Sequence, residues 1–99
     1  MNKSLKMGCL KLDTDSRRLY KAKKRLCLQN KEFELLEFMF KNKGKVLSRT
    51  SILEEVWDRN IFCKTNTVDV HISRLRKKIK DFSDFNPIKT VHSVGYICE

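Results

Sequence analysis

The sequence predicts an α+β domain in which short antiparallel strands come first, three helices follow, and a β-hairpin ends the chain. Apolar and polar residues alternate near both ends of the chain, whereas apolar residues recur at helical spacing in its middle. The chain has 99 residues with three glycines and one proline, and it contains neither an internal repeat nor a linker. We therefore expect residues 1–99 to form a single domain.

The N-terminal part is predicted to form a meander of short strands. Polarity alternates over residues 5–12, a turn cluster of Asp, Thr and Ser occupies 13–16, and bases surround a single leucine over 17–21. A turn without glycine at 22–24 leads to a further strand at 26–28. Such a sheet packs one face against the core and leaves the other face in water.

Two amphipathic helices are predicted in the middle of the chain. Asn30 is expected to cap the first helix, and Gly44 follows its lysine-rich end as a stop signal. Ser48 is expected to cap the second helix, which ends near Trp57. Residues 58–66 show no clear period and are predicted to form a loop.

The third helix is predicted to begin at Asn66 or Thr67 and to have two faces of opposite character. A narrow apolar line is expected to be buried, consisting of Val68, Ile72, Leu75 and Ile79. At ~100° per residue the opposite side of the helix presents another set: Asn66, Val70, Ser73, Arg74 and Lys77. Residues 74–80 hold five bases and no acid.

A β-hairpin is predicted after the only proline of the chain. Its strands are expected at 88–91 and 94–97, with a tight turn at His92 and Ser93. Gly95 is expected to give the backbone latitude next to this turn.

The charge balance indicates a polyanionic partner. Twenty-two Lys and Arg against twelve Asp and Glu leave a net charge of +10, which favours nucleic acid first and an anionic membrane surface second. No run approaches the ~18 apolar residues of a membrane span, and no signal peptide is recognisable, so we expect a cytoplasmic protein. The four cysteines lie far apart, which predicts reduced thiols and neither a metal site nor a cofactor.

A helix that is buried on one side and basic on the other, followed by a hairpin, is suited to duplex DNA. The major groove is ~12 Å wide and admits one helix. Arg74 is expected to contact guanine, Val70 a thymine methyl, and Ser73 a base or a phosphate. Three lysines are expected at phosphates: Lys77, Lys78 and Lys80. The alternative is that this face is merely a solvated charged surface.

Several runs of the sequence carry a family resemblance. Residues 67–79 read TVDVHISRLRKKI, with Val-Trp at 56–57 before them and Gly-Tyr at 95–96 after them. Together with segments 28–36 and 46–49, these runs resemble the C-terminal effector domain of OmpR/PhoB-type response regulators. The resemblance covers roughly residues 5–97, and the run at 67–79 is highly specific.

The resemblance implies a winged helix-turn-helix fold with a four-stranded N-terminal sheet, three helices and a C-terminal hairpin, the wing. It implies a transcription regulator of a two-component phosphorelay, whose third helix enters the major groove of duplex DNA while the wing reaches the adjacent minor groove. The chain is expected to be a monomer when free, and the resemblance implies head-to-tail pairs on direct repeats. It also implies an RNA polymerase contact through loop 58–66.

By position, the resemblance implies DNA contacts from two parts of the chain besides Trp57. It implies Asn66, Val70, Ser73, Arg74 and Lys77 on the third helix and Thr90, His92 and Tyr96 on the hairpin; Thr67 and Lys78 are expected at DNA as well, without resting on the resemblance. An indole that ends an amphipathic helix and a strand tyrosine can equally belong to the core, so both interpretations stay open for Trp57 and Tyr96.

The chain departs from the family pattern in two respects. The wing tip commonly has Arg followed by Gly, whereas this chain has His92 and Ser93, and a mostly neutral histidine attracts the minor groove less. The phosphoacceptor receiver domain is not among these 99 residues. We therefore expect either a piece of a longer regulator or a short regulator.

Other classes of function fit less well. An enzyme needs a reactive group in a pocket, and neither His71 nor His92 has paired carboxylates or a glycine-rich phosphate loop near it in sequence, so no enzyme is expected. RNA binding is disfavoured because the basic third helix carries no aromatic residue for stacking on bases. A winged helix whose basic face docks an acidic protein partner remains the alternative.

Overall fold

The computed structural model describes residues 4–57, 66–83 and 86–99, and its elements follow the predicted order. The strands and helices are β1 (Ser4–Met7), β2 (Leu10–Asp13), β3 (Arg18–Lys21), β4 (Lys24–Cys27), α1 (Asn30–Lys41), β5 (Leu47–Ser48), α2 (Arg49–Val56), α3 (Asn66–Phe82), β6 (Ile88–Val91) and β7 (Gly95–Cys98). Apart from Asn66, the loop predicted at 58–66 to face RNA polymerase lies outside the described residues.

The first four strands form an antiparallel sheet in the order β1-β2-β3-β4, as the resemblance implies. A turn at Gly8, where φ is 58°, divides the alternation predicted over 5–12 into β1 and β2. The turn predicted without glycine holds Ala22 at a φ of 53°, and β4 begins at Lys24 rather than at Leu26. The inner face of this sheet joins the same core as the helices, through Met7, Leu10, Leu12 and Leu19.

The predicted cap of α1 is wrong by one residue. Gln29 is the N-cap, and α1 begins at Asn30. The reason is the carboxylate of Glu32, which accepts a hydrogen bond from the backbone N–H of Gln29 at 2.9 Å. The side chain of Asn30 instead accepts from the guanidinium of Arg17 at 2.6 Å.

The predictions for α2 and α3 are confirmed. The hydroxyl of Ser48 accepts from the backbone N–H of Ser51 at 3.1 Å, which satisfies one of the free donors of the first turn of α2. α3 begins at Asn66, and its four predicted core residues are buried, with exposures of 0% for Val68, Leu75 and Ile79 and 1% for Ile72.

The C-terminal hairpin belongs to a three-stranded sheet in the order β5-β7-β6. Sequence reasoning missed β5, because a strand of two residues carries no alternation. β7 pairs with it through Tyr96 opposite Leu47 and Gly95 opposite Ser48. The predicted winged helix-turn-helix architecture, with strands, three helices and a hairpin, is confirmed.

The role assigned to Gly95 was wrong. Its φ is not in the left-handed region; Ser93 adopts the positive φ of 63° in the turn at 92–94. A Cβ on Gly95 would lie 2.0 Å from the backbone oxygen of Leu47. Glycine is therefore required because the backbones of β5 and β7 approach each other closely.

Two further findings concern the described parts of the chain. Cys9 and Cys27 are exposed and Cys98 is buried, none of the three being in a disulfide, while Cys63 lies outside the described residues. No helix within the described ranges is long and apolar enough to cross a membrane.

Replacing Gly95 by alanine tests the close approach of β5 and β7. We expect Gly95→Ala to lower the free energy of unfolding by about 3 kcal/mol or more, because the methyl group overlaps backbone atoms that cannot rotate away. Gly44→Ala is the matched control, since Gly44 has a φ of 83° and no atom within 4 Å of an added Cβ. It should cost only about 1–2 kcal/mol of backbone strain. Urea unfolding measures both, and equal losses in the two variants would contradict the proposed overlap.

Candidate nucleic-acid interface

The outer face of α3 lies opposite the buried line and consists of the five residues that the helical period predicts for it. All are exposed, including the apolar Val70 with 44% of its surface accessible: Asn66, Val70, Ser73, Arg74 and Lys77. At ~1.5 Å per residue this face extends over about 16 Å, which is enough to cross a major groove ~12 Å wide. The structure therefore brings together most of the helix residues predicted to contact DNA.

Lys78 has a different environment from Lys77. Its ammonium group donates to Oε1 of Glu32 on α1 at 2.6 Å, and the Glu32 side chain is only 6% exposed. Position 78 lies about 100° around the helix from position 77, on the flank between the outer face and the buried line. Lys78 thus neutralises a buried carboxylate; its side chain is 36% exposed, but its ammonium is ion-paired rather than free as sequence reasoning assumed.

Trp57 and Tyr96 both belong to the core of the described chain, with exposures of 8% and 5%. The ring of Trp57 packs edge-on against His71, with ring centroids 4.9 Å apart. His71 in turn donates from Nδ1 to the backbone carbonyl of Thr67 at 2.9 Å. Of the two interpretations left open for Trp57 and Tyr96, the core interpretation describes their placement, while their phosphate contacts remain a prediction.

The first turn of α3 carries a carboxylate with two partners. Oδ1 of Asp69 accepts a hydrogen bond from the hydroxyl of Tyr96 on β7 and one from Nε of Arg49 on α2, the latter at 2.8 Å. The bond from Tyr96, followed by that from Arg49, lowers the pKa of Asp69. Burial and the neighbouring carboxylate raise the pKa of Tyr96. At neutral pH Asp69 is therefore ionised, and its charge is balanced by Arg49 near the N-terminal end of α3.

Arg76 connects α3 with the hairpin, and sequence reasoning did not single it out. Its Nη2 donates to the hydroxyl of Thr90 at 2.6 Å, and its Nε donates to the carbonyl of Ile88 at 3.3 Å. The guanidinium also lies over the ring of Tyr96, 5.4 Å from its centroid. The sequence could have indicated this role through the helical period, which places residue 76 on a flank of α3 rather than on the outer face.

The tip of the hairpin is formed by exposed residues. His92, Ser93 and Val94 make the turn between β6 and β7, and Val94 is 49% exposed. Thr90 is also exposed on β6, although its hydroxyl is bonded to Arg76. The structure thus places His92 at the end of the wing, where the resemblance expects it.

The net positive charge is not concentrated on α3. Residues 4–28 contain eight Lys and Arg against two Asp, whereas residues 66–82 contain five bases against two acids. The composition therefore indicated a polyanionic partner mainly through residues of the N-terminal sheet.

Within the described ranges, no three His, Cys, Asp or Glu side chains come together in a way that could hold a metal ion.

Comparison with known proteins gives a consistent result. The family model described as "Transcriptional regulatory protein, C terminal" matches residues 23–98. The chain is 45% identical over 92 residues to the transcriptional regulatory protein CusR of Escherichia coli, an alignment that covers 91% of this chain and 40% of CusR. It is 37% identical over 95 residues to the phosphate regulon regulatory protein PhoB of Rhizobium meliloti, covering 96% of this chain and 42% of PhoB.

Among solved structures, the chain is similar to the DNA-binding domain of RstA from Klebsiella pneumoniae in complex with the RstA box. The two agree with a TM-score of 0.83 and 29% identity, covering 97% of this chain and 96% of that one. The architecture and the exposed outer face of α3 define a winged-helix domain of the DNA-binding class. The chain belongs to the OmpR/PhoB-type family of response-regulator effector domains, which regulate transcription, and it spans about 40% of the length of the curated relatives named above.

Aspartate substitutions on opposite sides of α3 test the orientation of this helix. We expect Ile72→Asp to unfold the domain, because a carboxylate on the buried line has no partner and its uncompensated burial costs several kcal/mol. Val70→Asp is the matched control and should change the free energy of unfolding by no more than about 0.5 kcal/mol, since its side chain faces water. A cooperative thermal transition of Ile72→Asp at the wild-type midpoint would contradict the assignment of the two faces.

Proposed function

We propose that this domain binds specific duplex DNA sequences with the outer face of α3 in the major groove and with the hairpin β6–β7, the wing, toward the adjacent minor groove. The observation that carries this proposal is the outer face itself. Its five members are exposed, while the opposite side of the helix is buried in the core. The solved complex of RstA with the RstA box supports a similar use of this chain.

The proposed roles follow from the chemistry of each side chain on that face. The guanidinium of Arg74 matches the O6 and N7 acceptors of guanine, and the apolar Val70 fits against a thymine methyl group. Ser73 reaches a base or a phosphate. Asn66 and Thr67 lie at the N-terminal end of α3 and approach the phosphate backbone of the DNA, because the helix dipole favours phosphate at that end.

Phosphate contacts are proposed for Lys77 but not for Lys78. The ammonium of Lys77 is exposed, whereas that of Lys78 is committed to Glu32. Moving Lys78 to a phosphate would leave the buried carboxylate of Glu32 without its base, which costs several kcal/mol. At the wing, His92 is the proposed contact, and it attracts the minor groove less than an arginine would.

The larger protein is also a matter of proposal, because the chain spans only part of its relatives. We propose a cytoplasmic two-component regulator in which a phosphoacceptor receiver domain controls this domain. A contact of loop 58–66 with RNA polymerase is part of the same proposal.

Removing the guanidinium of Arg74 tests the major-groove assignment. We expect Arg74→Ala to lose about 1–3 kcal/mol of affinity for the specific site and to relax the preference at one base pair, because one bidentate contact disappears. The measurement is the binding of a selected duplex and of variants that differ from it at each position. Equal losses on the specific site and on random DNA would assign Arg74 to a phosphate instead.

Two neighbouring lysines supply the control for this experiment. Lys77→Ala should weaken binding to all sequences alike and reduce the slope of log K against log salt by roughly 0.9. Lys78→Ala should leave the salt slope unchanged and lower the stability of the free domain, because it deprives Glu32 of its partner. A reversed result for the two lysines would overturn the assignment of the outer face.

We further propose that the free domain is a monomer and that two copies bind head to tail on direct repeats. At a net charge of +10, two free copies repel each other. DNA neutralises these bases and holds two copies at a high local concentration. Repeats separated by one helical turn, about 10–10.5 bp, place both copies on the same side of the duplex.

Changing the spacing of the half-sites tests this pairing. Inserting about 5 bp between them should abolish cooperative binding, because half a turn moves the second copy to the opposite side of the duplex. Inserting a full turn is the control and should restore part of the cooperativity. Sedimentation of the free domain should show a monomer. A stable dimer without DNA, or cooperativity that survives the half-turn insertion, would refute the model.

A further inference from the structure

α3 is attached to the wing at two points along its length. Near its N-terminal end, Asp69 accepts from the hydroxyl of Tyr96 on β7. Seven residues further along, which is about two helical turns, Arg76 donates to Thr90 and to the carbonyl of Ile88 on β6. Two separate attachments restrict the angle between a helix and a hairpin, whereas a single attachment would leave a pivot.

The ring of Tyr96 joins these two attachments. The guanidinium carbons of Arg49 and Arg76 lie over it, 5.7 and 5.4 Å from its centroid, which is within the range of favourable cation–π contacts. Arg49 also bonds to Asp69, so that the same carboxylate holds the start of α2 and β7 against α3. The carboxylate of Asp69 and the hydroxyls of Tyr96 and Thr90 are therefore hydrogen-bonded within the domain before any DNA is present.

The edge strand of the hairpin, β6, depends on the contacts of Arg76 in particular. β6 is the last strand of its sheet and pairs with β7, and β7 in turn pairs with the two-residue strand β5. This ladder fixes β7 more firmly than it fixes β6. The side chain of Arg76 connects β6 directly to α3 through two hydrogen bonds.

We infer that Arg49, Asp69, Arg76, Thr90 and Tyr96 form a wing clasp whose role is to hold the wing at a fixed angle to α3, so that major-groove and minor-groove contacts are made together. Tyr96 and Arg76 are then positioning residues that act through the wing. This inference rests on the proposed function. A wing that is fixed in advance lowers the entropy lost on binding, so that each contact contributes more to affinity.

The first test examines the free domain by amide hydrogen exchange. Tyr96→Phe keeps the ring and removes the bond to Asp69, and Thr90→Val removes the acceptor of Arg76 at an exposed position. Both should speed exchange of the β6–β7 amides several-fold while leaving those of α1 unchanged, because only the attachment of the wing is weakened. Tyr20→Phe is the matched control, because in the described part of the chain the hydroxyl of Tyr20 bonds only to the exposed hydroxyl of Ser16, at 3.4 Å.

Exchange that rises equally in α1 and in the wing would show a general loss of stability and would overturn the clasp. Unchanged exchange in both Tyr96→Phe and Thr90→Val would also overturn it, because the wing would then be held without these bonds.

The second test measures coupling on DNA with two duplexes, one complete and one that ends before the segment beneath the wing. Removing this segment should weaken binding of the wild-type domain. The factor by which affinity falls should be about 5-fold smaller for Tyr96→Phe than for the wild type. A direct phosphate contact by the Tyr96 hydroxyl predicts the same loss on both duplexes and no change in exchange, which would refute the inference. Wild-type affinity that does not depend on the segment would refute the proposed wing contact instead, and the exchange experiment would still decide whether the clasp exists.

Discussion

Burial of the apolar line on α3 is the constraint on which the rest of the structure depends. Val68, Ile72, Leu75 and Ile79 are almost completely buried, and burying each such side chain is worth roughly 1.5–3 kcal/mol. Rotating α3 by one residue would expose this line and bring charged side chains into the core. The same burial that stabilises the fold therefore selects which side chains α3 offers to a partner, and it places Arg74 in water without any contribution from Arg74 itself.

Two bases of α3 are engaged inside the domain, Lys78 by Glu32 and Arg76 by Thr90 and the carbonyl of Ile88. The bases left to the outer face are fewer than the sequence between 74 and 80 indicates. Net charge consequently indicated a polyanionic partner without indicating which residues would contact it, because many of the bases lie on the N-terminal sheet.

The same residues of β7 hold the wing in place and pack in the core. Gly95 allows β7 to approach β5, and the neighbouring Tyr96 is both buried in the core and bonded to α3. A change that loosens the core next to β7 is therefore expected to move the wing as well. In the proposed complex with DNA, this shared support would keep α3 and the wing at a defined angle to each other.

The sequence by itself determined the order of the elements, the cap at Ser48 and the two faces of α3, because helical periodicity and local hydrogen bonding act between residues close in the chain. Only the tertiary structure decided that Lys78 is engaged, that Tyr96 bonds to Asp69, and that Gly95 must lack a side chain. The partners of Lys78 and Tyr96 lie 46 and 27 residues away in sequence. Neither composition nor periodicity reports such distant contacts, since they arise only when packing of the core brings separate elements together.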